Sequence, residues 1–307
     1  MTRVNSKIKV LVAINILLLA SLGNCKAFFK DQYNENKFDD IWKGPADIEI
    51  EPFDIILQGE DLSIDKQGEY VCAVREDIAH LVEPKWACWG MEAREEHKYY
   101  AISTDQFDYI FDADKDNIYV QFISDIINPV AVGNGTLVLL PEGFDQDTFG
   151  KDTPYWLKFG PKKHASNTTI HLEITWKGKR GIWKLNRKPP ADETAHLYRF
   201  NLNQDGTYGV HVDWHPFAEG KVEEDFDFVD LEAPISNMIS GAGFETYMVG
   251  NMITNGYVLI ADEEQDTFEY GDYIHKHIIE RNYYYADSEG RSRGFEEIET
   301  EIARDDL

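Results

Sequence analysis

The central part of the chain contains five short segments, in the order Lys158-Phe159-Gly160-Pro161, Trp176-Lys177-Gly178-Lys179, His196-Leu197-Tyr198, Gly206-Thr207-Tyr208 and Glu224-Asp225-Phe226-Asp227. Strand patterns surround these segments. Residues 170–176 alternate apolar and polar side chains, which is typical of a half-buried β-strand. The turn Asn203-Gln204-Asp205-Gly206 separates two further alternating runs, and its Asp-Gly pair supplies the positive φ angles that a hairpin turn needs. This region therefore predicts consecutive antiparallel strands.

The chain before these segments is also rich in β-branched and aromatic residues. Residues 118–122, 137–140 and 155–159 are predicted to form further strands. Without residues 1–27, about 280 residues remain, which fits one large β domain. The density of strands and turns predicts an all-β fold in which two sheets pack as a sandwich.

In order and spacing, the five segments resemble the lectin domain of the calreticulin/calnexin family, the calcium-dependent glycoprotein chaperones of the endoplasmic reticulum (ER). The resemblance covers most of residues 28–285. It implies a concanavalin A-like jelly-roll sandwich at residues 28–260, with one C-terminal helix packed on it at residues 261–287. The family's Pro-rich arm is absent near residues 229–241. We therefore do not expect the thiol oxidoreductase and isomerase co-chaperones that dock on that arm.

Both ends of the sequence indicate the secretory pathway. Cations precede an apolar run at residues 10–22, and this pattern predicts a signal peptide at residues 1–27. A retained anchor is the alternative, although the run is shorter than the roughly 20 residues that span a bilayer. A tail at residues 288–307 ends in a sequence of the kind that returns soluble proteins to the ER lumen, namely Arg304, Asp305, Asp306 and Leu307.

Acidic residues dominate the composition. The chain has 56 Asp and Glu against 30 Lys and Arg, a formal net charge of −26. Such a surface disfavours binding to nucleic acid and to anionic membranes, and it favours cations or basic partners. We expect no membrane insertion. The family resemblance implies nascent or misfolded glycoproteins as partners, together with high-mannose glycans.

Two cysteines, Cys72 and Cys88, remain once the predicted signal peptide is removed. In an oxidising compartment this even count favours one disulfide between them, which closes a short loop and stabilises the fold by about 3 kcal/mol. Two buried free thiols are the alternative.

The resemblance also implies which residues contact sugar. Tyr155 matches a sugar-contacting Tyr of the family, whereas Glu245, Tyr247 and Thr136 stand at the positions of three other contacts. At two further contact positions the charge of the side chain is changed. Val138 stands in place of a Lys, and Lys162 stands in place of an acidic residue. Sugar recognition depends on paired hydrogen bonds, so these changes predict weakened or altered glycan binding. A protein-interaction module that has lost lectin activity is the alternative.

Glycosylation and calcium are predicted from the same regions. The sequons at Asn134 and Asn167 predict N-glycosylation, the first of them beside the predicted sugar site. For Ca²⁺, the resemblance implies the side chain of Gln32 and the backbone carbonyl of Trp89 as ligands. The family's late Asp aligns with Gly256 and only an amide residue precedes it, so retention and loss of calcium both stay open, since calcium requires six to eight oxygens.

An enzymatic function is not expected. Residues 223–228 come nearest to the paired carboxylates of jelly-roll glycoside hydrolases, but Phe228 stands where the second acid is required. The sequence therefore predicts an ER-lumenal chaperone that binds glycoproteins or unfolded proteins.

Overall fold

The structure is a computed structural model, and it describes residues 27–30, 42–45, 53–57, 60–64, 66–72, 90–126, 132–165, 167–185, 188–189, 195–250 and 252–274. In chain order the strands are β1 (Ala27–Lys30), β2 (Trp42–Lys43), β3 (Phe53–Leu57), β4 (Glu60–Ile64), β5 (Lys66–Gly68), β6 (Val71–Cys72), β7 (Met91–Ala93), β8 (Lys98–Thr104), β9 (Phe111–Asp112), β10 (Ile118–Ile126), β11 (Val132–Asn134), β12 (Thr136–Pro141), β13 (Leu157–His164), β14 (Asn167–Trp176), β15 (Lys179–Trp183), β16 (His196–Leu202), β17 (Thr207–Val212), β18 (His215–Lys221), β19 (Phe226–Asp230), β20 (Met238–Val249) and β21 (Ile253–Ala261). The helices are a 3₁₀ turn (Gln146–Thr148), α1 (Val222–Asp225) and α2 (Glu264–Ile274).

Most strands belong to two large sheets. Sheet A follows the order β18-β17-β16-β10-β21-β7-β6, and β1 also pairs with β21. Sheet B follows the order β19-β15-β14-β13-β11-β20-β8-β2, and it also includes β5, β9 and β12. Strands β3 and β4 form a separate hairpin. Almost all pairings are antiparallel, which confirms the predicted all-β sandwich.

The two sheets enclose one apolar core. Phe122 of sheet A lies between Phe159 and Phe244 of sheet B, and the ring centroids are 5.7 Å and 5.6 Å apart. All three side chains are fully buried. Successive side chains of a strand point to opposite faces of its sheet. The residues on either side of each phenylalanine therefore lie on the outer face.

The predicted hairpins are present. Strands β14 and β15 are joined by Lys177 and Gly178, both with positive φ (50° and 75°). Strands β16 and β17 are joined by the predicted Asp-Gly turn, in which Gly206 has φ 82°. Positive φ at these positions matches the twist of the flanking strands, which explains the turn residues.

A close backbone contact lies at the centre of sheet B. The Gly135 amide, between β11 and β12, donates a hydrogen bond to the Pro161 carbonyl of β13 (3.0 Å). A Cβ atom on Gly160 would lie only 2.1 Å from the Gly135 carbonyl oxygen and 3.2 Å from the ring of Phe122. Only glycine permits this approach, which explains the Gly-Pro pair in the first of the five segments.

Helix α2 packs on the outer face of sheet A, against β10 and β21. Its Phe268 stacks on Trp214 at 5.6 Å, and a Cβ on Gly271 would lie 2.3 Å from the same indole. The helix lies within the predicted segment 261–287. Residues 275–287 lie outside the described residues, as do the predicted signal peptide up to residue 26 and the tail.

Strand β19 is an edge of sheet B, and residues 231–237 connect it directly to β20. Two charged pairs lie along this edge, Lys179 with Asp230 and Lys184 with Asp227, and a third pair, Lys177 with Glu223, joins the β14–β15 turn to α1. Among the described residues, neither helix has the length and apolar character needed to cross a bilayer.

We expect Gly160→Ala to lower the free energy of unfolding by about 3 kcal/mol, because the added methyl collides with backbone that cannot move without breaking the sheet. Urea unfolding followed by tryptophan fluorescence measures this loss. Gly44→Ala is the matched control, since its nearest neighbour would be 3.9 Å away, and it should change stability by less than about 0.5 kcal/mol. Equal stability of the two variants would contradict the proposed role of the contact.

Candidate functional site

The outer face of sheet B, which is turned away from the core, carries the candidate site. Along β12, Leu137 and Leu139 belong to the main core, whereas Val138 and Leu140 belong to a second apolar cluster on the opposite face. The other buried members of this second cluster are Ile64, Tyr99, Ala101 and Phe149. The site therefore has an apolar floor of its own.

A cleft of about 710 Å³ lies on this face. Residues 141–154 form one wall, and Tyr99 and Ala101 of β8 contribute to the floor. Ala101 is the cross-strand neighbour of Glu245 on β20, so the cleft adjoins the predicted sugar contacts. Its lining mixes aromatic rings, prolines and polar side chains.

A buried ion pair lies beside the cleft. The Lys158 ammonium is 2.9 Å from Oε2 of Glu245, and their side chains are 13% and 9% exposed. The other carboxylate oxygen of Glu245 is buried without a hydrogen-bond partner within the described structure. Burial raises the pKa of Glu245, although the nearby lysine opposes this shift. The carboxylate is thus held by Lys158 and shielded from solvent.

The ring of Tyr155 is also occupied. The Lys158 ammonium lies 4.2 Å from its centroid, and the Arg180 guanidinium carbon lies 3.6 Å from it. Arg180 further donates to the Tyr155 carbonyl (3.0 Å), and the Tyr155 hydroxyl donates to Glu173. Cations on an aromatic face are attracted by its negative electrostatic potential. A sugar that stacked on this ring would have to displace them.

Glu173 completes the network. It accepts hydrogen bonds from the Tyr155 hydroxyl and from Nε2 of His171 (3.0 Å). Burial raises the pKa of Glu173, but these hydrogen bonds, with the positive charge of Arg180, outweigh that effect and lower it to about 2. Glu173 is therefore ionised throughout the physiological range and fixes the orientation of Tyr155.

The structure brings the four predicted sugar contacts to one face. Thr136 pairs with Glu245 across β12 and β20, and Tyr247 follows two residues later on β20. Tyr155 reaches Glu245 through Lys158, which contacts both. Thr136 is buried, however, and its hydroxyl accepts a hydrogen bond from Asn134 (2.7 Å). Its side chain is therefore not free to contact a ligand.

The glycosylation of Asn134 stays a prediction, and the hydrogen bonds of its side chain bear on it. Its Nδ2 donates to Thr136 Oγ1 and to the Glu245 carbonyl (3.1 Å), and its Oδ1 accepts from the Tyr247 amide (2.9 Å). The residue is buried, and a glycan on Nδ2 would disrupt these bonds. Asn167, in contrast, begins β14 at an exposed position, where a glycan can be accommodated.

Of the predicted calcium site, the structure describes only Gly256, which aligns with the family's late Asp, and its neighbour Asn255. Asn255 is fully buried; its Oδ1 accepts from the Ser124 hydroxyl (2.8 Å) and its Nδ2 donates to Thr246 (3.3 Å). Gly256 has no side chain, and no cluster of three potential ligands (His, Cys, Asp or Glu) occurs within the described ranges. Gln32 and Trp89 lie outside them.

Of the predicted disulfide, Cys72 is in β6 and Cys88 lies outside the described residues.

Sequence reasoning misses three members of the network, Lys158, Glu173 and Arg180. One signal was available, because Lys158 stands between the core residues Leu157 and Phe159, and strand alternation turns such a residue outward. The pairing of Lys158 with Glu173 depends on the register of β13 and β14. Register follows from three-dimensional packing and turn geometry.

We expect Glu173→Gln to reduce the unfolding free energy at neutral pH, because it removes the charge that Tyr155, His171 and Arg180 stabilise. The loss should be about 1–2 kcal/mol, since part of the carboxylate faces solvent and its interactions are screened. The folded-state pKa of Glu173 is depressed, so its contribution is present above the unfolded-state pKa and is lost as pH falls through the folded-state value. The gap between wild type and variant should therefore close between about pH 5 and pH 2. Urea unfolding over this range measures the gap, and a gap independent of pH would contradict this account.

In protein secreted from a glycosylating host, we expect Asn167 to carry glycan and Asn134 to be unmodified in folded molecules. Peptide mass spectrometry after enzymatic deglycosylation in heavy-oxygen water distinguishes the two sites. Occupied Asn134 in natively folded protein would show that the buried amide bonds can be broken without loss of the fold.

Comparisons with known proteins place this geometry in a family. The sequence model of the calreticulin family matches residues 67–240. Calreticulin from Euglena gracilis is 33% identical over 140 residues, which are 46% of this chain and 34% of that protein. Calreticulin from Caenorhabditis elegans is 27% identical over 214 residues, 70% of this chain and 49% of that protein. The matches thus span between a third and a half of the length of these curated relatives.

A solved structure shares the fold. The globular domain of calreticulin from T. cruzi superimposes with a TM-score of 0.60 at 20% identity, over 82% of this chain and 93% of that domain. This likeness supports the lectin-like jelly-roll sandwich predicted from the sequence. Because the family model matches more than half of the sequence, the chain belongs to the calreticulin family.

Proposed function

We propose that this protein is a calreticulin-type chaperone of the ER lumen that binds unfolded or glycosylated polypeptides through the outer face of sheet B, with weakened recognition of glucose-type glycans. Family membership supports the lectin-chaperone class, since calreticulins bind glycoproteins during folding. The feature that carries the proposed weakening is the network around Lys158.

Lys158 occupies two groups that a sugar would need, the carboxylate of Glu245 and the ring of Tyr155. Its ammonium binds Glu245 and lies over Tyr155, so a sugar hydroxyl must compete with an internal charge. Hydrogen bonds between charged groups are about twice as strong as neutral ones. A neutral hydroxyl therefore gains less at Glu245 than it would at an unoccupied carboxylate.

The cleft beside this network supports polypeptide binding. Its lining includes the partly buried ring of Phe144 and backbone of the 141–154 segment, above the buried rings of Tyr99 and Phe149. Aromatic side chains at the centre of an interface are among the residues that contribute most to binding between polypeptides. We infer that contacts with the client polypeptide compensate for the reduced contribution of the glycan.

Calcium is proposed to have little part in this function. Asn255, which precedes the position aligned with the family's late Asp, has its amide committed to Ser124 and Thr246.

We also propose that the protein is not an enzyme, in keeping with its family of lectins and chaperones. The acidic segment nearest to a hydrolase motif forms α1 and the start of β19. Asp225 accepts hydrogen bonds from the Tyr208 hydroxyl (3.1 Å) and the Lys221 amide (3.2 Å), so it is committed to the structure.

Calorimetry with a monoglucosylated high-mannose oligosaccharide tests the proposal. We expect no saturable heat from the wild-type protein at millimolar sugar, with or without calcium. Lys158→Met keeps the apolar stem but removes the charge, and it should give saturable heat at millimolar sugar, where the wild type gives none. Lys179→Ala is the matched control, because it removes a lysine that pairs with a carboxylate at the edge of the same sheet.

Suppression of aggregation completes the test. The wild-type protein should protect a deglycosylated unfolded client as well as a glycosylated one. Calcium-dependent sugar binding by the wild type that Tyr155→Ala abolishes would contradict the proposed weakening. Failure to protect either client would contradict the chaperone function itself.

A further inference from the structure

A second cleft, of about 540 Å³, lies on the opposite side of the molecule, on the outer face of sheet A. Strands β16, β17 and β18 form its floor, and Glu264 at the start of α2 contributes a wall. The floor residues alternate with core residues such as Phe200 and Val210, which places them on the outer face. The cleft is thus separated from the proposed client-binding face by the whole sandwich.

One cross-strand row defines the cleft. Asn201 on β16, Gly209 on β17 and Glu219 on β18 are direct neighbours. A Cβ on Gly209 would lie 2.5 Å from Oδ1 of Asn201 and 3.2 Å from the ring of His211. The missing side chain therefore lets an amide and an imidazole converge over the middle strand, and Glu219 faces them from the edge strand.

The polar groups around this row are held in place. Asn203 donates to the Thr207 hydroxyl (2.9 Å) and accepts from the Tyr119 hydroxyl (3.4 Å). Nδ1 of His211 is buried and has no hydrogen-bond partner within the described structure. Burial, followed by the charge of Arg199, lowers the pKa of His211 to about 4, so the imidazole is neutral and offers one donor and one acceptor.

The charges of the cleft disfavour simple ions. Glu219 and Glu264 repel an anion, whereas Lys221 in the lining and nearby Arg199 repel a cation. What remains is a set of amide, imidazole, carboxylate and ammonium groups that both donate and accept hydrogen bonds. Sugar hydroxyls also do both, and the volume lies within the range of about 300–1,000 Å³ typical of small-ligand sites.

We propose that this cleft is a second binding site, which takes a neutral, hydroxyl-rich ligand such as one hexose-sized unit of a glycan. Asn201, His211 and Glu219 contact the ligand, and Gly209 leaves room for the first two side chains to converge. The site does not depend on the outer face of sheet B, so it goes beyond the function proposed above.

Saturation-transfer NMR on the full chain tests the site with the methyl glycosides of glucose, mannose, galactose and N-acetylglucosamine. At least one glycoside should receive saturation from the wild-type protein. Gly209→Ala should reduce this signal by about fivefold or more, because the methyl displaces the amide of Asn201. His211→Ala and Glu219→Gln should reduce it as well, and they keep the test decisive if Gly209→Ala fails to fold.

Glu232→Gln is the control, since it removes an exposed carboxylate outside the cleft and should leave the signal unchanged. Thermal unfolding verifies that each variant is folded. The proposal is overturned if no glycoside receives saturation, or if the signal survives all three cleft variants. It is also overturned if Tyr155→Ala abolishes the signal, because the sugar would then occupy the outer face of sheet B.

Discussion

The fold depends on the place where two stretches of backbone touch at the centre of sheet B. The Gly160 α-carbon lies against the Gly135 carbonyl, with Phe122 of the other sheet beneath both. This contact lies between β11 and β12, and both strands pair with β13 and with β20. The strands that carry Asn134, Thr136, Lys158 and Glu245 are all positioned by it, so the core and the site on the outer face share one steric constraint.

Local chemistry made much of this fold predictable. Positive-φ turn residues such as Gly178 and Gly206 and alternating strands such as β14 determine neighbouring structure directly. The family resemblance could predict that Tyr155, Glu245 and Tyr247 belong to one site, because it carries three-dimensional information about the family's fold. It could not indicate the state of those groups, because the ring of Tyr155 and the carboxylate of Glu245 are occupied by partners whose proximity depends on strand register.

A common property of the site follows from these partners. The lectin-type groups are kept in their places but directed inward, to cations and hydrogen-bond donors of the same chain. Such a network resists rearrangement, because removing one member leaves a buried charge without compensation. The outer face of sheet B is therefore rigid at the ion pair and open at the adjoining cleft. A rigid ion pair and an open groove thus lie side by side on one face of the sheet.

The charged pairs along β19 have a consequence for behaviour in concentrated solution. An exposed edge strand offers unpaired backbone groups to any other strand, and many proteins cover that edge with a further element. Here β19 is an edge of sheet B, and ion pairs between lysines and carboxylates lie along it. An incoming strand must strip solvent from these charges before it can pair. These charges thereby oppose the joining of two sheets edge to edge when the protein is concentrated.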